Sequence, residues 1–208
     1  RSWLVGFDHI TLATGARDLA LAFPGWNQPG VMGAAALQML LARYDAFAGN
    51  RILILGSHDL ALETALLAKE RGIDVAALVE VRSEPQGSQA LVEKCAASGI
   101  SIHCGLSIAS AKGGIDGVES ATLSNGDFIA CDTICVAVGV IPSIELVDAM
   151  HGPRALEPHK GGYVHQGEGT VAAGGDCAGL TVSGFDHIAY RMDWMRALTE
   201  NSTDDTII

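Results

Sequence analysis

Residues 51–80 decide the fold, and they read RILILGSHDLALETALLAKERGIDVAALVE. The segment begins with a continuous apolar run at 51–55, which predicts a buried strand that ends at Gly56. Residues 59–71 carry apolar side chains at helical spacing, and a second apolar run at 74–80 predicts another buried strand. A strand, a helix and a strand within about 30 residues predict a parallel βαβ unit of mononucleotide-binding size.

The segments on both sides extend this unit into an α/β fold. Asn125-Gly126 lies between two runs of alternating hydrophobicity, and this dipeptide strongly favours a tight hairpin. We therefore expect a doubly wound, Rossmann-like central domain over residues 30–140, with helices on both faces and an inserted antiparallel hairpin. Its other predicted elements are helices at 33–48 and 88–98 and strands at 100–104 and 132–138.

The loop after the first strand departs from the dinucleotide-binding fingerprint G-x-G-x-x-G. Gly56 provides the tight turn, and Ala61 is an accepted replacement for the third glycine. His58 stands where the second glycine would let the backbone approach a pyrophosphate, and Asp59 adds negative charge beside it. Glu80 ends the second strand, about where an acidic residue accepts a hydrogen bond from a ribose 2′-hydroxyl.

The sequence leaves the use of this loop open between two interpretations. We favour a relic site with weak or no NAD(P) binding, in which case replacing His58 and Asp59 by glycine should improve NADH binding. Alternatively, a protonated His58 helps to hold a phosphate, and Glu80 is either a ribose ligand or an ordinary solvated carboxylate at a strand end. The degenerate NAD site is expected at Gly56, Ser57, His58 and Glu80.

Three short motifs lie around the central unit in a fixed order. Residues 11–16 read TLATGA, residues 136–142 read VAVGVIP, and residues 170–176 read TVAAGGD. The first two are similar to each other, and each predicts a strand that ends at a glycine. The order of the three motifs is more specific than any one of them.

With these motifs, the chain resembles the two-dinucleotide-binding-domain flavoproteins, the pyridine nucleotide-disulfide oxidoreductase superfamily. In that superfamily an NAD(P) domain interrupts an FAD domain. The resemblance implies that residues 1–29 end the first FAD segment, that 30–140 form the NAD(P)-binding-like domain, and that 141–208 return to the FAD domain. It also implies that the superfamily's N-terminal FAD-binding βαβ unit is missing from this chain and was either removed or lies on another polypeptide.

The resemblance also assigns the contacts to FAD. Glycines at 174 and 175 let the backbone approach the flavin chain without a Cβ in the way. Asp176 can accept a hydrogen bond from a ribityl hydroxyl, although the same residues also suit a plain strand–turn–helix connection with the aspartate near a cap. The FAD-binding residues implied by the resemblance are Thr14, Gly15, Gly174, Gly175 and Asp176.

Residues 12–41, LATGARDLALAFPGWNQPGVMGAAALQMLL, resemble the large subunits of opine oxidases and of the hydrogen cyanide synthase family. This narrower resemblance implies an FAD-dependent oxidoreductase that acts on a small amine or amino acid together with other subunits or a second copy. No side chain is a convincing acid, base or nucleophile, so the catalytic residues stay unassigned. Two alternatives remain, a non-catalytic assembly subunit with a relic nucleotide site and an NAD(P)H-linked flavin reductase.

Composition excludes several classes of function. With 13 Lys and Arg against 24 Asp and Glu, the net charge of −11 disfavours nucleic-acid binding, and no apolar run approaches the roughly 20 residues of a membrane span. The seven histidines show no metal-ligand spacing. An odd number of cysteines without the spacing of a disulfide framework indicates a reducing, cytoplasmic location, and Cys177 is expected to be a small buried residue of its turn.

Overall fold

The computed structural model describes residues 2–167, 169–180 and 185–200. Contacts between Cα atoms divide the chain into two compact units. Unit 1 comprises residues 1–17 and 140–189, and unit 2 comprises residues 18–139 and 190–208. The assignment of residues 1–29, 30–140 and 141–208 to FAD-type and NAD-type segments stays a prediction.

The described part of the chain contains 14 strands and five α-helices. The strands are β1 (Ile10–Leu12), β2 (Ala16–Asp18), β3 (Val31–Gly33), β4 (Arg51–Leu55), β5 (Asp74–Glu80), β6 (Ile102–Cys104), β7 (Ile108–Gly114), β8 (Gly117–Leu123), β9 (Phe128–Ala130), β10 (Thr133–Val136), β11 (Val140–Pro142), β12 (Arg154–Glu157), β13 (Gly162–His165) and β14 (Val171–Ala173). The α-helices are α1 (Ala34–Met39), α2 (Asp59–Glu70), α3 (Gln89–Ala97), α4 (Glu145–Ala149) and α5 (His187–Glu200).

The core of unit 2 is a five-stranded parallel sheet with the strand order β3-β10-β4-β5-β6. At its centre, the side chains of residues 52–55 in β4 are fully buried. A parallel strand covered on both faces needs apolar side chains at every position, which is why the run RILIL predicted it correctly. The α/β class with a parallel sheet and inserted antiparallel strands is confirmed.

Helices α1, α2 and α3 pack against one another and share one core with Ile52 and Ile54, so they lie on the same face of the sheet. Our expectation of helices on both faces was wrong in this respect. The connection from β6 to β10 would supply a helix for the opposite face, but it forms the separate antiparallel sheet β7-β8-β9, of which β8 contacts β10.

The predicted hairpin forms the outer part of this antiparallel sheet. Gly126 adopts a φ of +90°, and the side-chain amide of Asn125 donates to the carboxylate of Asp127 at 2.7 Å, so the turn uses the residues that predicted it. Strand β7 was not predicted, because two register shifts and the glycines at its end break its alternation.

The helix predicted over residues 33–48 is shorter than expected. Regular α-helix ends at Met39, and a π-helical turn continues to Tyr44. Asp45 then adopts a left-handed conformation with a φ of +47°, and its backbone N–H returns to the carbonyl of Leu40. Aspartate tolerates this conformation better than most residues, so it ends the helix where the hydrophobic pattern alone continues.

Unit 1 is built from three short strand pairs. Strands β1 and β14 are parallel, with Thr11 opposite Ala172, while β2 pairs with β11 and β12 forms an antiparallel hairpin with β13. The sequence does not predict this hairpin, since Pro158 and Gly161 interrupt its alternation with a single 3-10 turn.

Candidate functional site

The first candidate site surrounds the loop between β4 and α2 in unit 2. Gly56 adopts a φ of +112°, and a Cβ atom at this position would lie 2.3 Å from the carbonyl oxygen of Ala137. Its N–H donates to the carbonyl of Val79 at 2.8 Å. Only glycine fits a backbone so close to a neighbouring strand, and the predicted tight turn is therefore present.

His58 and Asp59 occupy the start of α2. His58 is the N-cap residue in an extended conformation, it is 8% exposed, and its ring meets the ring of Tyr190 edge-on with 5.6 Å between the centroids. The carboxylate of Asp59 accepts a hydrogen bond from the N–H of Ser88 at 2.6 Å, just before α3. The negative charge of Asp59 is therefore directed at the start of α3.

Glu80 is fully buried at the end of β5. Its Oε2 accepts hydrogen bonds from the hydroxyl of Ser57 at 2.5 Å and from that of Tyr190 at 2.6 Å. Its Oε1 accepts from the N–H of Arg82 at 3.0 Å. The alternative of a solvated strand-end carboxylate is therefore wrong, because three protein donors replace water around this side chain.

Sequence reasoning missed Tyr190, the residue at the centre of this network. Its side chain is fully buried, its hydroxyl accepts from the N–H of Ser57 at 3.2 Å, and the guanidinium of Arg82 lies 5.1 Å from its ring centroid. Burial raises the pKa of Tyr190 well above its usual value of 10.0, and the neighbouring Glu80 carboxylate raises it further. Residues 190, 193 and 194 share one face of α5, but no motif in the sequence connects that face with β5.

This network predicts a loss of stability at high pH. A tyrosine with a raised pKa in the folded protein stabilises it fully below the pKa of the unfolded chain, about 10. That contribution is lost as pH rises toward the higher pKa of the folded state. We expect the free energy of unfolding to fall more steeply above about pH 10 in the unmodified protein than in Tyr190→Phe, as measured by urea unfolding across pH. Equal slopes for the two proteins would contradict the buried placement.

The second candidate site lies at the turns that follow β1 and β14 in unit 1. The N–H of Gly174 donates to the carbonyl of Leu12 at 2.9 Å, which places the two turns side by side. Gly15 and Gly175 have φ values of +71° and +66°, and a Cβ at either position would meet no heavy atom within 4 Å. Asp176 is exposed beside them. The backbone of both turns is therefore open to a ligand.

Thr14 and Cys177 stabilise these turns through hydrogen bonds within unit 1. The hydroxyl of Thr14 donates to the carbonyl of Ser143 at 2.6 Å. The Sγ of Cys177 is buried and lies 3.1 Å from the carbonyl oxygens of Leu12 and Gly174, as expected for a small residue packed in the turn. Burial raises the pKa of the Cys177 thiol, but hydrogen bonds from Thr14 and from the backbone of the turn outweigh burial and lower it.

Other features of the described residues limit the chemistry. A cavity of about 440 Å³ in unit 2 is lined by Asp18, Trp26 and Met32 among others. The two oxygens of the Asp18 carboxylate accept hydrogen bonds from the first turn of α1, at 2.9 and 3.1 Å. Across residues 2–167, 169–180 and 185–200, no cluster of side chains is suited to a metal ion, and no helix has the length and apolarity to cross a membrane.

The parallel sheet with its glycine turn before α2, and the paired glycine turns of unit 1, define a protein of the Rossmann-type dinucleotide-binding class. A family model described as pyridine nucleotide-disulphide oxidoreductase matches residues 4–197. The chain therefore belongs to the pyridine nucleotide-disulphide oxidoreductase family, whose members are flavin-dependent oxidoreductases with FAD as their cofactor.

Curated relatives cover most of this chain. Rhodocoxin reductase of Rhodococcus erythropolis is 30% identical over 192 residues, which are 86% of this chain and 44% of the relative. Sarcosine oxidase subunit alpha of Rhizobium meliloti is 30% identical over 186 residues, 86% of this chain and 18% of the relative. Hydrogen cyanide synthase subunit HcnB of Pseudomonas aeruginosa is 27% identical over 168 residues, 68% of this chain and 36% of the relative. The chain thus spans less than half the length of these relatives.

Solved structures share the fold. An FAD-dependent pyridine nucleotide-disulphide oxidoreductase from Desulfovibrio vulgaris superimposes with a TM-score of 0.66 at 18% identity, covering 96% of this chain and 56% of that one. A ferredoxin reductase from Rhodopseudomonas palustris superimposes with a TM-score of 0.62 at 22% identity, covering 96% and 53%. These likenesses show the fold, while the family match and the relatives confirm the resemblance to the superfamily and to its hydrogen cyanide synthase and sarcosine oxidase subunits.

Proposed function

We propose that the whole protein to which this chain belongs is an FAD-dependent oxidoreductase that oxidises a small amine or amino acid. The observation that carries this proposal is the open pair of glycine turns in unit 1, with Asp176 exposed beside them. When bound there, FAD would supply the hydride-accepting chemistry that amine oxidation needs.

The residues of the two turns fit a flavin nucleotide. The space beside Gly15 and Gly175 is open, and a Cβ at Gly174 would meet only the Thr11 methyl at 3.8 Å. The Thr14 hydroxyl holds the first turn, and Asp176 has an exposed carboxylate that can accept a hydrogen bond from a ribityl hydroxyl. In this proposal the chain binds and orients the cofactor through backbone and carboxylate contacts.

The substrate class rests on the relatives. One is a sarcosine oxidase subunit and another is a hydrogen cyanide synthase subunit, so both belong to multi-subunit enzymes. We extend this to an amine or amino acid substrate and to assembly with other subunits or a second copy. We also propose a cytoplasmic location, because the five cysteines lack the spacing of a disulfide framework.

Asp176→Ala tests the flavin site in the whole protein. Loss of a hydrogen bond to a charged acceptor is typically about 1.5–3 kcal/mol, so FAD affinity should fall by roughly 10- to 150-fold. Asp8→Asn is the matched control, because it also removes a carboxylate from an exposed position in unit 1. The measurement is the flavin dissociation constant by fluorescence quenching. Equal flavin affinity in the two variants would contradict the assignment of Asp176.

The same preparations test the reaction. We expect amines or amino acids to bleach the flavin anaerobically in the unmodified protein. Bleaching by NADH instead would favour the NAD(P)H-linked flavin reductase. Retention of flavin with no bleaching by either class would favour a non-catalytic assembly subunit.

A further inference from the structure

We infer that unit 2 does not accept a pyridine nucleotide, because the part of helix α5 that belongs to unit 2, from Tyr190 onward, occupies the nucleotide-binding edge of its sheet and inserts Tyr190 between the β4–α2 loop and Glu80. The family name implies such a nucleotide, but the residues present do not fit one. The inference holds independently of the proposed oxidation reaction, because it concerns contacts within unit 2.

The backbone donor that would face a pyrophosphate is already engaged. In a dinucleotide-binding loop, backbone N–H groups at the start of the helix point at the phosphates. Here the N–H of Ser57 donates to the Tyr190 hydroxyl at 3.2 Å. The Ser57 hydroxyl is also engaged, since it donates to Glu80 and accepts from the N–H of Gln86 at 3.0 Å. A phosphate would have to displace Tyr190 to reach this loop.

The carboxylate that would face the ribose, Glu80, is also engaged. An acidic residue at the end of the second strand normally accepts from a ribose hydroxyl. In this structure Glu80 takes two hydroxyl donors and one backbone donor from its own chain. The Tyr190 hydroxyl thus accepts from the N–H of Ser57 and donates to Glu80, and these are the two groups that a nucleotide would use.

Helix α5 is held in place by an ion pair and by two buried aromatic side chains. Asp193 pairs with the guanidinium of Arg82 at 2.8 Å, and the same guanidinium lies over the Tyr190 ring. Trp194, one turn after Tyr190, is fully buried. A buried tryptophan and tyrosine together remove a large apolar area from water, so opening this edge is costly.

His58 is a second and separate obstacle. Its ring packs edge-on against Tyr190, so removing the imidazole leaves Tyr190 bonded to Glu80. Asp59 is less of an obstacle than its charge indicates, because its carboxylate is directed at Ser88. The structure therefore revises the expectation that replacing His58 and Asp59 by glycine improves NADH binding, because Tyr190 still fills the site.

The test compares NADH binding by calorimetry in the unmodified whole protein and in His58→Gly, Tyr190→Ala and the combined His58→Gly/Tyr190→Ala variant. We expect no measurable NADH binding by the unmodified protein or by His58→Gly, and binding by the combined variant that is at least tenfold tighter than the weakest binding the calorimetry detects. Tyr190→Phe is the matched control. It should also show no measurable NADH binding, because the phenylalanine ring still fills the nucleotide-binding edge.

Tight NADH binding by the unmodified protein would overturn the inference. NADH binding by His58→Gly alone that is as tight as that of the combined variant would also overturn it. A folded combined variant that gains nothing would also overturn it. If the combined variant does not fold, amide exchange at Ser57 in the unmodified protein decides: slow exchange that NADH leaves unchanged supports closure by α5, and fast exchange or protection by NADH refutes it.

Discussion

Replacing Gly56 by alanine is expected to destabilise the protein by about 3–5 kcal/mol, which is a large fraction of the roughly 5–15 kcal/mol that stabilises a typical domain. Two effects add at this position. The φ of +112° is a conformation that residues with a Cβ rarely adopt, and the new Cβ would lie 2.3 Å from the carbonyl oxygen of Ala137. Neither β4 nor β10 can move away without breaking the central pair of the sheet.

Gly72→Ala separates the two effects. Gly72 also has a positive φ, +77°, but a Cβ there meets no heavy atom within 4 Å. Gly72→Ala should lower the free energy of unfolding only by the cost of the left-handed conformation, about 1–2 kcal/mol. Urea unfolding of both variants measures the difference, and equal costs would show that the close approach at Gly56 is absent.

Glu80→Ala is expected to cost about 2–4 kcal/mol, because it leaves two buried hydroxyl donors and one partly buried backbone donor without their acceptor. Those donors are the hydroxyls of Ser57 and Tyr190 and the N–H of Arg82. Glu80→Gln should cost less, since an amide oxygen still accepts and both hydroxyls can rotate to accept from the amide nitrogen. Glu63→Ala, on the exposed surface of α2, is the control and should change stability by less than about 0.5 kcal/mol.

A double-mutant cycle with Tyr190→Phe measures the coupling between the two side chains. Residues in direct contact within one hydrogen-bond network show coupling energies of about 0.5–3 kcal/mol. We expect a value in this range from urea unfolding of Glu80→Ala, Tyr190→Phe and the combined variant. Additive costs would mean that Tyr190 does not donate to Glu80.

Much of the central unit could be predicted from the sequence. Strands β4 and β5 and helix α2 follow continuous apolar runs and a 3.6-residue period, both of which are local properties. The hairpin at Asn125-Gly126 is equally local, because its turn chemistry lies in two residues. Strands β12 and β13 were missed since they are short, half-exposed and interrupted, so pairing with each other rather than their own pattern makes them strands.

The candidate sites also contain some residues that sequence reasoning identified and one, Tyr190, that it missed. Sequence reasoning identified the glycines at 56, 174 and 175, of which Gly56 and Gly175 adopt positive φ values, +112° and +66°, that few other residues adopt. It also predicted that the imidazole of His58 is an obstacle to a phosphate. It did not identify Tyr190, which lies 110 residues from Glu80 in the chain. A tyrosine on a helix has no spacing relation to a strand-end carboxylate so far away.

The sequence by itself determined the family-level architecture and the glycine turns, because these depend on short-range pattern and on backbone conformations that only a few residue types allow. Only the tertiary structure decided what the nucleotide edge of unit 2 contains. Glu80 can be a ribose ligand, a solvated carboxylate or a buried acceptor, and its local sequence is the same in all three cases. The outcome depends on which distant donors the fold brings to it, and here packing of α5 brings the hydroxyl of Tyr190 to within 2.6 Å.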